Sequence, residues 1–307
     1  MSPTSNSKNF PNMNPGKALF LYSDATGTGK VLKNIEKVKA RLAAAFEILE
    51  PKKIASIEEG CALAKEACGE YDYLIVAGGD GTFHHIVNAI AREERQPILG
   101  YINAGTICDI GVNFGIKGSY KRALRILEDG AITSFDLGEI NGTFFTYVAA
   151  VGSYADIPYV TPRKYKKRLG RLAYYFVAVK EAFVPKKIPV HVVCDGKAYD
   201  LKVPFLLLLS GKRVGGFPVN RLSSAIDDGK MELFLTKPGL FNGLIHYLFF
   251  KTRTLSLTGS EFKISVQYPF PWCLDGEAGP VGDVKITVHP RKMRIFCSKR
   301  LAGKPKS

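Results

Sequence analysis

The chain has 307 residues, 46% of them hydrophobic, which is enough for one large buried core or two ordinary ones. Lys and Arg number 43 against 28 Asp and Glu, a formal net charge of +15, so an anionic partner is expected: nucleic acid, an anionic membrane surface or a phosphorylated substrate. No apolar run approaches the ~20 residues of a membrane span, and Cys61, Cys68, Cys108, Cys194, Cys273 and Cys297 form no CxxC pair, which removes transmembrane and zinc-ribbon readings.

In a chain of this length the six cysteines read as free thiols of a reducing compartment. Residues 1–15, rich in Ser, Asn and Pro, read as a disordered tail without the apolar core of a signal peptide. The expectation is a cytoplasmic protein that meets the inner face of a membrane only peripherally.

The first half alternates strands with helices. Ala18–Tyr22 reads as a buried strand and Ser23–Gly29 as a polar turn. Val31, Ile35, Val38, Leu42 and Phe46 then recur on one helical face. Phe46–Leu49 reads as a second strand, Glu58–Ala67 as a helix and Tyr73–Ala77 as a third strand. Phe83, Ile86, Val87 and Ile90 mark another helix, followed by a strand over Ile98–Ile102. Such alternation predicts a doubly wound, mostly parallel sheet. Past about residue 135 the pattern changes. Phe144–Ala150, His191–Cys194, Val203–Leu209, Met231–Leu235, Glu261–Val266, Lys285–His289 and Arg294–Cys297 read as strands, interrupted by helical stretches at Lys164–Phe183 and Leu240–Lys251. The predicted fold class is α/β with two domains. An N-terminal Rossmann-like nucleotide domain spans 16–140 and a C-terminal antiparallel β-sandwich spans 141–288. Residues 289–307 are expected to return to the first domain.

The sharpest motif is Gly78-Gly79-Asp80-Gly81-Thr82, between a predicted strand and a predicted helix. Glycines there let backbone approach a phosphate, the more so if the loop takes a positive φ, and a helix N-terminus offers free N–H groups. A carboxylate among phosphates makes sense if a metal bridges them or if it orders the turn. Ser23–Lys30 fails as a P-loop, since GxxxxGK[ST] needs Gly at Asp24 and Ser or Thr at Val31. It remains a candidate second phosphate loop, and an ordinary strand–helix connection fits it equally well.

Gly78–Thr82 resembles the GGDGT signature of the bacterial diacylglycerol kinase and lipid kinase family. Further along, Gly105-Thr106-Ile107-Cys108-Asp109 resembles its Gly-Thr-x-Asn-Asp segment. Gly215-Gly216-Phe217 with Ala225-Ile226-Asp227-Asp228-Gly229 resembles its GG…DDG stretch, and Leu274-Asp275-Gly276-Glu277 its late DGE motif. Lys167–Tyr174 resembles a family helix. The resemblance implies an ATP- and Mg2+-dependent lipid kinase, with diacylglycerol the leading substrate. ATP would meet Ser23, Asp24, Ala25, Thr26 and Gly27, then Gly78, Gly79, Asp80, Gly81, Thr82, Phe83 and His84, and Thr106. Asp80, Asp109 and Asp136 would form an aspartate network that organises water and magnesium. Asp228, with backbone groups of Ala225 and Lys230, would hold a structural magnesium. Glu277 would be the general base, with Asp275 and Asp80 beside it in the catalytic set. The lipid, through its free hydroxyl, would lie between the domains. An anionic membrane surface is the implied partner, a homodimer is left open, and no nucleic-acid recognition motif is present.

The chain departs from the family at Ser23-Asp24 (usually Asn-Pro), at His84-His85 (usually Asn-Glu) and at Cys108 (usually Asn). Two other readings stay open. One is an NAD kinase-like enzyme, which shares GGDG; the other is a non-catalytic module for anionic lipid. Adjacent helix residues point about 100° apart, so His84 and His85 do not form a ligand pair and are expected to be exposed. Arg163, Lys164, Lys166, Lys167, Arg168 and Arg171 precede Leu172–Phe176; they read either as a solvated helix face or as a membrane-facing helix. Leu240–Phe250 reads as core.

Overall fold

A computed structural model describes residues 16–24, 29–105, 108–153, 187–211, 213–214, 217–218, 225–236 and 254–302. The predicted helices at 164–183 and 240–251, the basic cluster, the N-terminal tail, and Ala25, Thr26, Gly27, Thr106, Gly215 and Gly216 lie outside the described residues.

Strand β1 (Lys17–Tyr22) is followed by α1 (Ile35–Ala43), β2 (Ile48–Lys53), α2 (Ile57–Glu66), β3 (Tyr73–Gly78), α3 (Asp80–Ile90) and β4 (Ile98–Asn103). Strand β1 pairs in parallel with both β2 and β3, and β3 with β4. Strand β3 is buried along its whole length, the continuous apolar run of a strand covered on both faces. The expected strand at 46–49 lies later in the chain, because Phe46 is core while the edge strand β2 is largely exposed and carries Pro51. An edge position tolerates the missing N–H. Helix α2 begins where the Ser56 side chain accepts from Glu59 N and Glu59 accepts from Ala55 N, a reciprocal cap.

Next come α4 (Asp109–Asn113), α5 (Tyr120–Asp129), β5 (Ile132–Ile140), β6 (Thr143–Phe145) and β7 (Val148–Gly152). After them follow β8 (Ile188–Cys194), β9 (Lys197–Val203), β10 (Phe205–Leu209), β11 (Arg213–Val214), β12 (Phe217–Pro218), β13 (Met231–Thr236), β14 (Thr254–Gly259) and β15 (Glu261–Val266). Strands β16 (Pro271–Leu274), β17 (Glu277–Val281) and β18 (Val284–Phe296), with α6 (Lys299–Ala302), complete the described chain.

Four predicted strands divide or merge. The run at 144–150 splits into β6 and β7, which belong to different sheets. The run at 203–209 splits at Pro204 into β9 and β10, again in different sheets. Conversely, 285–289 and 294–296 of the last two runs belong to the single strand β18, whose register shifts between His289 and Met293. Pro290 and Arg291, at φ 49°, are absorbed there as a bulge instead of ending the strand.

The first sheet has ten strands, in the order β2-β1-β3-β4-β18-β15-β8-β9, with β5 on β18 and β6 on β5. Strands from the second half of the chain thus extend the sheet begun by the first. A six-stranded antiparallel sheet, β14-β13-β10-β7-β16-β17, lies against it. Alternation along β10 separates two cores. Leu206 and Leu208 join Val190, Val192, Phe262, Ile264 and Ile286 in a β-sandwich, while Phe205, Leu207 and Leu209 join the core of the α/β part. Among the described residues no helix is long and apolar enough to cross a membrane.

Candidate active site

The loop after β3 and the loop after β4 pass back to back. A Cβ on Gly105 would stand 2.8 Å from Gly79 Cα, so this approach requires glycine. Gly79 itself has φ −90° and ψ −179°, ordinary extended backbone, so the anticipated positive φ is not needed here. A Cβ on Gly79 would meet only Gly105 Cα, at 3.6 Å. Gly79→Ala should therefore fold and melt like the wild type. If phosphates lie against this loop, the added methyl should weaken ATP binding at least about tenfold; unchanged affinity by calorimetry would move the nucleotide elsewhere.

Asp80 begins α3 and turns its carboxylate onto α4. Oδ2 accepts from Asp109 N at 3.0 Å and Oδ1 from Ile110 N at 3.2 Å, while the Tyr101 hydroxyl stands 3.5 Å away. Burial, with the Asp109 carboxylate adding to it, pushes the Asp80 carboxyl up to about 7, against the pull of those two N–H groups. Asp109 is fully buried, and Arg213 Nε sits 3.0 Å from its Oδ1, close enough for an ion pair although off the angle of a hydrogen bond. Arg213 links the β11–β12 hairpin to α4; it lies two residues before Gly215-Gly216, and no motif or spacing in the sequence marks it.

The late motif forms a two-residue hairpin turn between β16 and β17. Asp275 has φ 53° and Gly276 φ 100°, the positive pair of a type I′ turn that Asp-Gly favours. Asp275 is 2% exposed. Its carboxylate accepts from Thr146 N at 2.7 Å, Thr146 Oγ1 at 3.0 Å, Tyr147 N at 3.0 Å and Val148 N at 3.2 Å. This capture is why the chain breaks between β6 and β7: those N–H groups serve a side chain instead of a strand partner.

Both histidines meet this turn. His84, expected to be exposed, is 4% exposed, and its Nδ1 lies 3.2 Å from Asp275 Oδ2. Asn88, one helical turn on, places Nδ2 3.4 Å from His84 Nε2. His85 is half-buried, with Nε2 4.0 Å from Glu277 Oε2. Burial, then the neighbouring His84, lowers the His85 pKa, with Glu277 and Glu58 opposing. Helix α3 thus meets the hairpin twice, the buried His84 at Asp275 and the half-exposed His85 at Glu277. Helix periodicity could not show it, because the partners are some 190 residues away.

Glu277 lies directly over the glycine motif. A Cβ on Gly81 would be driven into its Oε1, so glycine at 81 makes room for this carboxylate. Gly81→Ala should displace the flexible end of Glu277 while sparing the fold. Turnover should then fall about 10- to 100-fold, as for a catalytic group moved by about 1 Å, with ATP affinity retained; an unaltered kcat in a folded variant would contradict this placement.

The nucleotide residues sought after β1 divide. Ser23 and Asp24 follow that strand, where Asp24 Oδ2 pairs with Lys53 Nζ at 2.5 Å. Gly78, Thr82 and Phe83 take their places at the β3–α3 junction, Phe83 inside the core. The expected metal ligands are engaged with backbone. Asp136 accepts from Gly229 N at 2.6 Å and Arg291 N at 2.7 Å, and burial pushes its carboxyl up to about 6. Asp228 accepts from Ala225 N at 2.8 Å and Lys230 N at 3.0 Å, closing its own turn. Among the described residues no three His, Cys, Asp or Glu side chains converge as a metal's ligands.

Comparison with known proteins bears on kinship and fold. Residues 17–140 match the family model of the diacylglycerol kinase catalytic domain. The chain is 27% identical over 278 residues to a diacylglycerol kinase of Bacillus subtilis (strain 168), covering 86% of this chain and 90% of the relative. It is 31% identical over 184 residues to a Staphylococcus epidermidis diacylglycerol kinase, covering 60% of this chain and 58% of that one. A crystal structure of a diacylglycerol kinase from Bacillus anthracis superposes with a TM-score of 0.81 at 21% identity, over 94% of this chain and all of the other, a likeness of fold. Residues 17–140 thus match a diacylglycerol kinase catalytic domain, and the chain is similar to bacterial diacylglycerol kinases over most of its length.

Proposed function

We propose that this chain, a kinase of the diacylglycerol kinase family, transfers the γ-phosphate of ATP to the free hydroxyl of diacylglycerol at a membrane surface, giving phosphatidic acid. The observation that carries the reading is the Glu277 carboxylate seated over Gly81. It puts a proton acceptor at the helix end that would receive the phosphates. The first turn of α3 leaves amides without helix partners, and these face the nucleotide's charge. Phosphoryl transfer asks mainly for positioning and charge neutralisation. The lipid oxygen bonds to the γ-phosphorus as its proton passes to Glu277, and the bond to ADP breaks with its electron pair staying on ADP. Magnesium held by the nucleotide phosphates would supply neutralisation of their charge while keeping several of its waters. Asp80 holds the start of α4 against the loop. Asp275 acts as the positioning residue of the turn. ATP is assigned to residues 16–140 and the lipid to the β-rich part.

The test is transfer of labelled γ-phosphate from ATP into diacylglycerol carried in vesicles with an anionic lipid. Label should appear in phosphatidic acid, require magnesium, and fall steeply as salt rises. The net charge of +15 underlies the last expectation, since each basic residue near an anionic surface contributes about 1 kcal/mol within a Debye length. ATP binding without label in any lipid alcohol would overturn the reading in favour of a binding module. Label in NAD would make it an NAD kinase.

A further inference from the structure

Among the described residues only three large hydrophobic side chains are strongly exposed: Ile48, Phe270 and Val281. Two of them share one end of one hairpin. Pro271, next to Phe270, pairs directly with Val281. Phe270 is 46% and Val281 59% exposed, and the half-buried Tyr268 ring stacks obliquely 5.2 Å from that of Phe270. The hairpin is β16–β17, whose opposite end carries the Asp275-Gly276 turn and Glu277. Strand β17 runs from Glu277 to Val281, roughly 13 Å at ~3.4 Å per residue. We propose that this Tyr268–Phe270–Val281 end is the foot by which the enzyme enters the lipid surface, holding Glu277 at a set height above it.

The surroundings favour lipid over protein as the occupant. Strand β17 is the edge of its sheet, a place where another chain could add a strand. Pro280, one residue before Val281, removes an N–H that such an added strand would need. The neighbouring charge is basic. Strand β8 runs antiparallel to β15, with Val190 opposite Val266. Its start, with exposed Lys187 before it and exposed Lys202 opposite Pro189, therefore lies at the end from which the chain leaves β15 for Tyr268 and Phe270. Exposed Lys263 and Lys285 pair one step beyond Ile264 and Val284. The acid closest in sequence, Asp283, spends Oδ1 on Val266 N at 3.0 Å. Apolar tips with an aromatic ring at the boundary and lysines behind suit an anionic interface. The base of the foot is rigid, because buried Trp272 donates Nε1–H to Gly282 O at 3.1 Å. Burying the tips therefore orders little additional chain.

The inference rests on the lipid-kinase reading, and the experiment separates the two. The double variant F270S/V281S is compared with the wild type on two substrates: long-chain diacylglycerol in vesicles containing phosphatidylglycerol, and short-chain diacylglycerol dissolved as monomer. Both positions are exposed and outside the site, so folding and turnover of the soluble substrate should be unchanged. Turnover on vesicles and co-sedimentation with them should each fall at least about tenfold. Wild-type behaviour of the variant on vesicles would overturn the proposal, as would an equal loss on the soluble substrate. A wild-type dimer that the substitutions split, seen by sedimentation, would assign the patch to a second copy and also overturn it. A wild type inert on both substrates would sink the kinase reading itself.

Discussion

Glu277→Gln should give a folded protein that binds ATP and lipid almost normally and turns over roughly 10²–10⁴-fold more slowly, the range for loss of a general acid or base. Gln keeps the size of the side chain and its contact above Gly81, so the substitution removes the proton acceptor and little else. Glu277 is half-exposed, with a side-chain exposure of 41%, and stands beside His85. It is therefore open to an incoming hydroxyl, unlike Asp275. The loss should appear in single-turnover measurements with saturating ATP, where product release does not intervene. A variant that keeps most of its single-turnover rate would remove Glu277 from the chemistry, although the hairpin would still cover the glycine loop. Together with Gly81→Ala, this separates the presence of the carboxylate from its position: one variant keeps the position and loses the base, and the other does the reverse.

Asp275→Ala should be the most destabilising of the substitutions considered. It strands the buried N–H groups of Thr146, Tyr147 and Val148, which the carboxylate now accepts. It also strands the Thr146 hydroxyl and the facing nitrogen of His84. A buried donor left without a partner costs about 1–3 kcal/mol. These donors share one site and relax together, so the total is about 3–5 kcal/mol rather than their sum. Alanine is also a poor occupant of the left-handed backbone at this position, where φ is 53°. Asp275→Asn retains an acceptor oxygen and tolerates that conformation, so it should lose less. Urea unfolding followed by fluorescence of Trp272, the single tryptophan and a residue of the same hairpin, checks both. A loss below about 1 kcal/mol for the alanine variant would mean that solvent or relaxation replaces the carboxylate.

Much of the local structure was legible in the residues themselves. The apolar run Tyr73–Ala77 became β3, and the positions Phe83, Ile86, Val87 and Ile90 became the buried face of α3. The hairpin of β16 and β17 was not read from the sequence, although its Asp275-Gly276 pair is a signal for such a turn, because only a few residues accept positive φ at both central positions. These are short-range effects: side-chain period, backbone sterics and capping act within a few residues, so a linear string carries them. The family motifs were legible for the same reason, as short strings in order.

Tertiary structure decided which of these pieces meet. The same Ala149 that looks like mid-strand pairs with Leu274, while Phe145, a few residues earlier, pairs with Gly138 in the other sheet. The division follows from a carboxylate 129 residues from Thr146. The reading of His84 as exposed failed because helical periodicity reports which face is apolar and is silent about a polar partner brought in from elsewhere. Arg213 had no signal at all, since one arginine between glycines becomes informative only beside buried Asp109. Glu277 was recognisable as a motif residue, yet its contact with Gly81 exists only once β16 and β17 close on α3. Composition, pattern and turn chemistry thus determined the elements and the kinship of this chain. Burial of charge determined the site, because a carboxylate leaves water only where the fold supplies donors from distant parts of the sequence to receive it.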